Sequence, residues 1–239
     1  MKKNIRYIIQ GFITSIIYML PFIFFPEAIN RNEDYFRIIF SNISFSPSIL
    51  FFLREFIIYI ILGSLFFNFF LRDIDKVNVV IFPREKTRSK WFKRKIIGLF
   101  IEYLIFWISF LLFSIIIFCA SNSIFPNHFF LKNLIYLLST SFLCYFLFLI
   151  IMNILTLCIN EYLSFFLSLF FYFTQYFFIF IIIKKAIFFL PYNYSKYSLF
   201  DNIYLYFIIL FLEFLLITGI LIFGYFISKF KKFKMGEDL

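Results

Sequence analysis

Residues 96–120 read IIGLFIEYLIFWISFLLFSIIIFCA, and the twelve positions before them, residues 84–95, read REKTRSKWFKRK. The first stretch holds a single charged residue, Glu102, in 25 positions, enough helix at about 1.5 Å per residue to cross roughly 30 Å of hydrocarbon. A barrel strand would alternate apolar and polar residues over about ten positions. Here the apolar run is unbroken, so in lipid its backbone must satisfy its own hydrogen bonds as a helix. The second stretch carries seven basic residues and one acid, and the abrupt junction between the two places a membrane boundary near Lys95.

Working outward, the same texture recurs along the chain. The 239 residues are 63% hydrophobic, include 45 Phe, and carry a mean hydropathy of +0.95. Soluble domains hold roughly 45–50% apolar residues, so a soluble globular class is excluded. Runs bounded by charges, Pro or Asn fall at about 5–25, 48–71, 96–120, 134–157, 163–183 and 203–228. The expectation is an all-α, polytopic integral membrane protein, a single transmembrane domain over 1–239 with six spans. The first span begins with basic residues as a signal peptide does, but it is too long and no small-residue cleavage pattern follows, so it reads as a retained anchor. Cys119, Cys144 and Cys158 show no metal-ligand spacing and read as packing residues.

Positive charge resists translocation, so Lys and Arg near span ends set orientation. Lys2, Lys3 and Arg6, nine basic residues in 72–95, and Lys229, Lys231, Lys232 and Lys234 give 16 on one side. Arg31, Arg37, Lys132, Lys184, Lys185 and Lys196 give six on the other. Both termini are therefore expected in the cytoplasm, together with the loop 72–95.

That loop has two readings. Basic residues near anionic lipid contribute about 1 kcal/mol each, so a plain stop signal accounts for part of the charge. The segment also has internal order: Pro83 is suited to open a helix, after which Arg84, Arg88, Trp91 and Lys95 fall on one stripe. A short interfacial helix with Trp91 and Phe92 in the headgroups is the expected result, and such a helix offers a contact surface to a cytoplasmic protein.

The run Arg88, Ser89, Lys90, Trp91 and Lys93, between the second and third of six spans, resembles the cytoplasmic loop of type-2 ABC transporter permeases, especially those of bacteriocin or lantibiotic export and immunity. The resemblance also covers the six-span layout and the outer segment 184–202 before the last span. It implies a permease subunit in a bacterial cell membrane, paired with a second permease subunit and with a separate ATPase that holds ATP and Mg. Arg84, Arg88, Lys90, Trp91 and Lys93 would then be a coupling element, with Glu161 in the stretch CINEY as a second contact. An amphipathic, bacteriocin-like peptide is the implied substrate. The chain has no GxxxxGK[ST] phosphate loop, so it is expected to be no enzyme and to hold no cofactor. Two alternatives stand beside this reading: a membrane protein that protects by binding without transporting, and a secondary transporter driven by protons through Glu213.

Ionisable groups inside a span cost at least about 2.5 kcal/mol near its centre and need a reason. Arg54 can reach toward the outer surface and Glu102 toward the inner headgroups, whereas Glu213 sits near the middle of the last span. Glu213 is expected either to be protonated, to hydrogen-bond to a neighbouring helix, to meet a cationic substrate, or to pair with Arg54. In the fifth span Ser164, Ser168 and Gln175 share a face near Tyr172, a pattern that usually knits helices together and that can also line a substrate path. Ser139, Thr140, Ser141 and Asn153 mark the fourth span in the same way. The tyrosines of the outer segment, Tyr192, Tyr194 and Tyr197, suit an interfacial or re-entrant piece. The lone His128 falls in the outer loop SNSIFPNHFF, with no set of ligands for a metal. No nucleic-acid partner is expected.

Overall fold

The computed structural model describes residues 2–24, 49–72, 88–122, 128–181 and 203–230, and everything below concerns these residues. They form six helices and no strand: α1 (Lys2–Phe24), α2 (Ile49–Phe66), α3 (Arg88–Asn122), α4 (His128–Cys158), α5 (Glu161–Ile181) and α6 (Ile203–Phe230). Within α3, α4 and α6, the segments Ser89–Ile117, Ser139–Cys158 and Tyr206–Lys229 are long and apolar enough to cross a membrane. The described residues are thus all-helical, and three of their helices are those of a membrane protein.

Side-chain pairs fix the relative directions of the helices. Tyr7 hydrogen-bonds to Glu102, and a Cβ on Gly11 would lie 2.8 Å from the Ser109 Cβ, so α1 and α3 run parallel. Tyr59 meets Cys144 at 3.4 Å and the Phe70 amide meets Asn153 at 3.3 Å, so α2 runs parallel to α4. Ser139 meets Tyr206 at 2.7 Å, while Ile154 lies against Gly224, so α4 and α6 are parallel too. Phe100 packs on Phe146 and Trp107 on Phe142, which sets α3 antiparallel to α4. Phe67 packs on Tyr162 and Phe56 on Tyr172, so α5 opposes α2. Successive helices therefore alternate in direction, and the short connections from α3 to α4 and from α4 to α5 require it of those pairs.

The core is aromatic. The Tyr59 ring sits 3.9 Å from that of Tyr172, 4.9 Å from Tyr145 and 5.0 Å from Phe148, joining α2, α4 and α5. Tyr103, Phe106 and Phe110 bring α3 into the same cluster. Lipid tails are as apolar as these rings, so the hydrophobic effect does not drive helix against helix here; close ring packing does, at about 0.5–1.5 kcal/mol per pair.

Three expectations change. The third helix begins at Arg88 and runs 35 residues, so residues 88–95 are not a separate interfacial helix inside a 72–95 loop but the first two turns of α3. Trp91 and Phe92 do not reach headgroups: they are 2% and 3% exposed and belong to the core. The reason is that α2 ends in a turn at residues 67–72, which brings Phe70 to 6.4 Å from the Trp91 ring and 5.7 Å from Phe92. His128 is the first residue of α4 rather than part of a loop. Arg84 and the outer segment 184–202 lie outside the described residues, as do the side chains of Arg54, Arg88, His128 and Gln175.

Candidate functional site

Two polar regions stand out against this apolar background. The first is the N-terminal end of α3. Lys90, Lys93 and Arg94 are exposed on one side of the helix while Trp91 and Phe92 are buried on the other. Lys95 turns inward: its Nζ donates to the Phe69 carbonyl at 3.2 Å and lies 5.6 Å from the Phe69 ring. Arg72 donates to the Leu65 carbonyl at 3.2 Å and lies 5.9 Å from the same ring. These bonds hold the closing turn of α2, whose carbonyls lack helical partners. One layer further in, the Tyr7 hydroxyl donates to the Glu102 carboxylate, with Arg72 beside it.

Glu161 opens α5 at the same end of the bundle, linked to α2 through Phe67 and Tyr162, whose ring centroids are 6.0 Å apart. A carboxylate suits the first turn, where unpaired amides carry partial positive charge. The two-residue connection from α4 works because Asn160 caps α5: its Oδ1 accepts from the Tyr162 amide at 2.9 Å and its carbonyl from the Ser164 amide at 2.9 Å. The expected coupling residues Lys90, Trp91, Lys93 and Glu161 are thus at one end of the molecule, although Trp91 supports the surface from beneath rather than forming it.

The second region is a buried polar seam. Glu213 on α6 is 0% exposed, and neither carboxyl oxygen has a hydrogen-bond partner among the described residues. The Tyr103 hydroxyl on α3 lies within electrostatic reach of Glu213 and of the Cys144 thiol on α4, but it donates to the Phe142 carbonyl at 2.9 Å. Cys144 in turn meets the Tyr59 hydroxyl at 3.4 Å. Ser139 and Tyr206 bond to each other at 2.7 Å, and Asn153 bridges α2 and α4, donating to the Leu149 carbonyl at 2.9 Å while accepting from Phe70. Ser164 and Ser168 are fully buried, and their hydroxyls donate back to the carbonyls of Glu161 and Ser164. Their stripe faces the interior of the bundle, with Tyr172 on it.

The sequence does not point to the Tyr7–Glu102 contact, and for Asn153 it points to a helix-knitting role without naming the Phe70 amide as the partner. Their partners lie 95 and 83 residues away in sequence, and the available signal was the depth each residue occupies in its own span. Among the described residues no group of three His, Cys, Asp or Glu could hold a metal. Between α2 and α5 a groove of about 520 Å³ is lined by apolar side chains alone, among them Phe56, Ile60, Phe166 and Phe170; it offers van der Waals contact and no chemistry. No protein-family model, no curated protein and no solved structure matches this chain.

Proposed function

We propose that this chain is the membrane-embedded permease subunit of a bacterial type-2 ABC transporter, with six spans and both termini in the cytoplasm. It works beside a second permease subunit and is driven by a separate ATPase, and an amphipathic, bacteriocin-like peptide is the cargo that the resemblance of its cationic run implies. One observation carries the reading: Lys90, Lys93 and Arg94 face outward on the first turns of a 35-residue helix whose opposite face is wedged into the core by Trp91 and Phe92. A cationic surface fixed to the end of a long, stiff helix packed along one face transmits a push at the membrane boundary through α3 to α1, α4 and α6, against which it packs. A charge patch on a loose loop would dissipate the same push. Electrostatic complementarity then selects an acidic groove on the partner.

The test is purification of the tagged chain from its own membranes and identification of bound proteins by mass spectrometry. A bound chain containing GxxxxGK[ST], lost when Arg88, Lys90 and Lys93 are together replaced by Gln, is the expected result. Undiminished recovery of that ATPase with the triple variant, inserted at normal levels, rejects the coupling role.

A further inference from the structure

Glu213 sits where α6 packs on α3 and α4, at zero accessibility. The carboxyl is fully enclosed by protein, so it cannot be hydrated where it stands. Among the described residues, Tyr103 lies within electrostatic reach of it, and the neighbouring polar groups on α3, α4 and α6 have partners of their own. Tyr103 of α3 donates to the Phe142 carbonyl, Cys144 of α4 engages Tyr59, and Tyr206, two turns earlier on α6, engages Ser139. The described charged side chains of these helices lie away from it: Lys90, Lys93, Arg94 and Lys95 at the start of α3, Glu102 turned to Tyr7 of α1, and Lys229 at the end of α6. An ionised carboxylate with neither water nor a donor is strongly disfavoured in such surroundings. Within this packing the one ligand small enough to neutralise it is a proton.

α6 packs on α4 and α3 along one face and leaves the other uncovered by described residues. Its outer face is bare of protein, with Phe207, Phe211 and Phe214 exposed, and a Cβ added at Gly219 would meet nothing within 4 Å.

We propose that Glu213 is a proton-binding site, and that release of its proton is coupled to separation of α6 from α3 and α4. In the closed bundle the carboxyl is neutral. Its O–H bond breaks only when water reaches it; the proton passes to water, or to hydroxide at alkaline pH, and the remaining carboxylate takes its hydrogen bonds from the water that has entered. Proton loss and helix separation are then one linked event, with Cys144 and Tyr103 lining the opened seam. This holds whether or not an ATPase drives the chain, and the experiment contains none.

The full chain, purified and placed in lipid nanodiscs, is followed by infrared spectroscopy at neutral pH. The expected spectrum contains a protonated-carboxyl carbonyl stretch that is absent in Glu213→Gln and retained at a shifted frequency in Glu213→Asp. In a Cys119→Ser, Cys158→Ser background, N-ethylmaleimide then reports on Cys144 as pH is raised. Labelling is expected to accelerate several-fold as the infrared band disappears, and to stay slow in Glu213→Gln at the same pH, which controls for thiolate formation. Absence of the band from the parent protein at neutral pH overturns the proposal. So does a band that appears only in Arg54→Leu, which assigns an ion pair instead, or equal labelling of Cys144 with and without Glu213.

Discussion

At Glu102 a carboxyl one or two turns inside a membrane boundary has two outlets: it can stretch to the headgroups, or it can find a donor on another helix. Its position in the span favours the first; the fold supplies the second, a Tyr7 hydroxyl from α1. Interhelical hydrogen bonds inside bilayers contribute about 0.6 kcal/mol on average and up to about 1.7. Tyr7→Phe should therefore lower unfolding stability in detergent by about 1 kcal/mol, with the helix content unchanged by circular dichroism. Trp91 makes a sharper case. Its ring fills the core beside Phe70, so Trp91→Ala should cost about 3–5 kcal/mol, the range for a large aromatic removed from a packed interior. Lys90→Gln and Lys93→Gln, on the exposed side of the same turns, should stay within about 0.5 kcal/mol. Denaturant titration of the three variants separates the support from the surface; equal losses in all three would contradict the assignment of faces. That Arg88, Trp91 and Lys95 share a helix was legible in their spacing. That Trp91 points inward was not, because an amphipathic aromatic at a boundary satisfies either a headgroup layer or a neighbouring helix.

At the scale of elements, glycines mark where helices approach. A Cβ on Gly11 would lie 2.9 Å from the Phe106 carbonyl oxygen, which is backbone and cannot yield, at the most extensive helix pair in the molecule. Gly11→Val should push α1 from α3 and cost about 1–3 kcal/mol, as overpacking does. Gly219 has nothing within 4 Å, so Gly219→Ala should be neutral or stabilise by up to about 1 kcal/mol, since alanine gives up less freedom on forming a helix. Thermal unfolding of the pair checks both, and the contrast between them tests the packing rather than the residue type. Sequence alone could not rank these glycines, because both sit in apolar runs and differ only in what another helix places beside them. Helix ends were legible only in part for a related reason. Hydropathy marks where lipid contact stops, near Lys95, whereas α3 continues back to Arg88 because its first turns are covered by the end of α2 rather than by lipid.

For the whole molecule, alternating helix directions place Cys158, exposed at the end of α4, at the same end as the cationic turns of α3. In a Cys119→Ser background an impermeant maleimide should label Cys158 in inverted vesicles and leave it unlabelled in intact cells. Labelling from the cell exterior would reverse the proposed orientation. The sequence by itself determined that the chain is helical, that its solvent is lipid, and roughly where its apolar runs lie, because unbroken apolar runs and boundary charges are local properties of the chain. It also singled out Glu213, since a lone acid in a long apolar run is visible without a fold. Only the tertiary structure decided that Glu213 meets no donor among the described residues, that Tyr7 finds Glu102, and that Trp91 is a wedge rather than an anchor. Each of those depends on which residue a different helix sets at the same depth, and in a bilayer, where any apolar face is content with lipid, packing between helices leaves little trace in the pattern along any one of them.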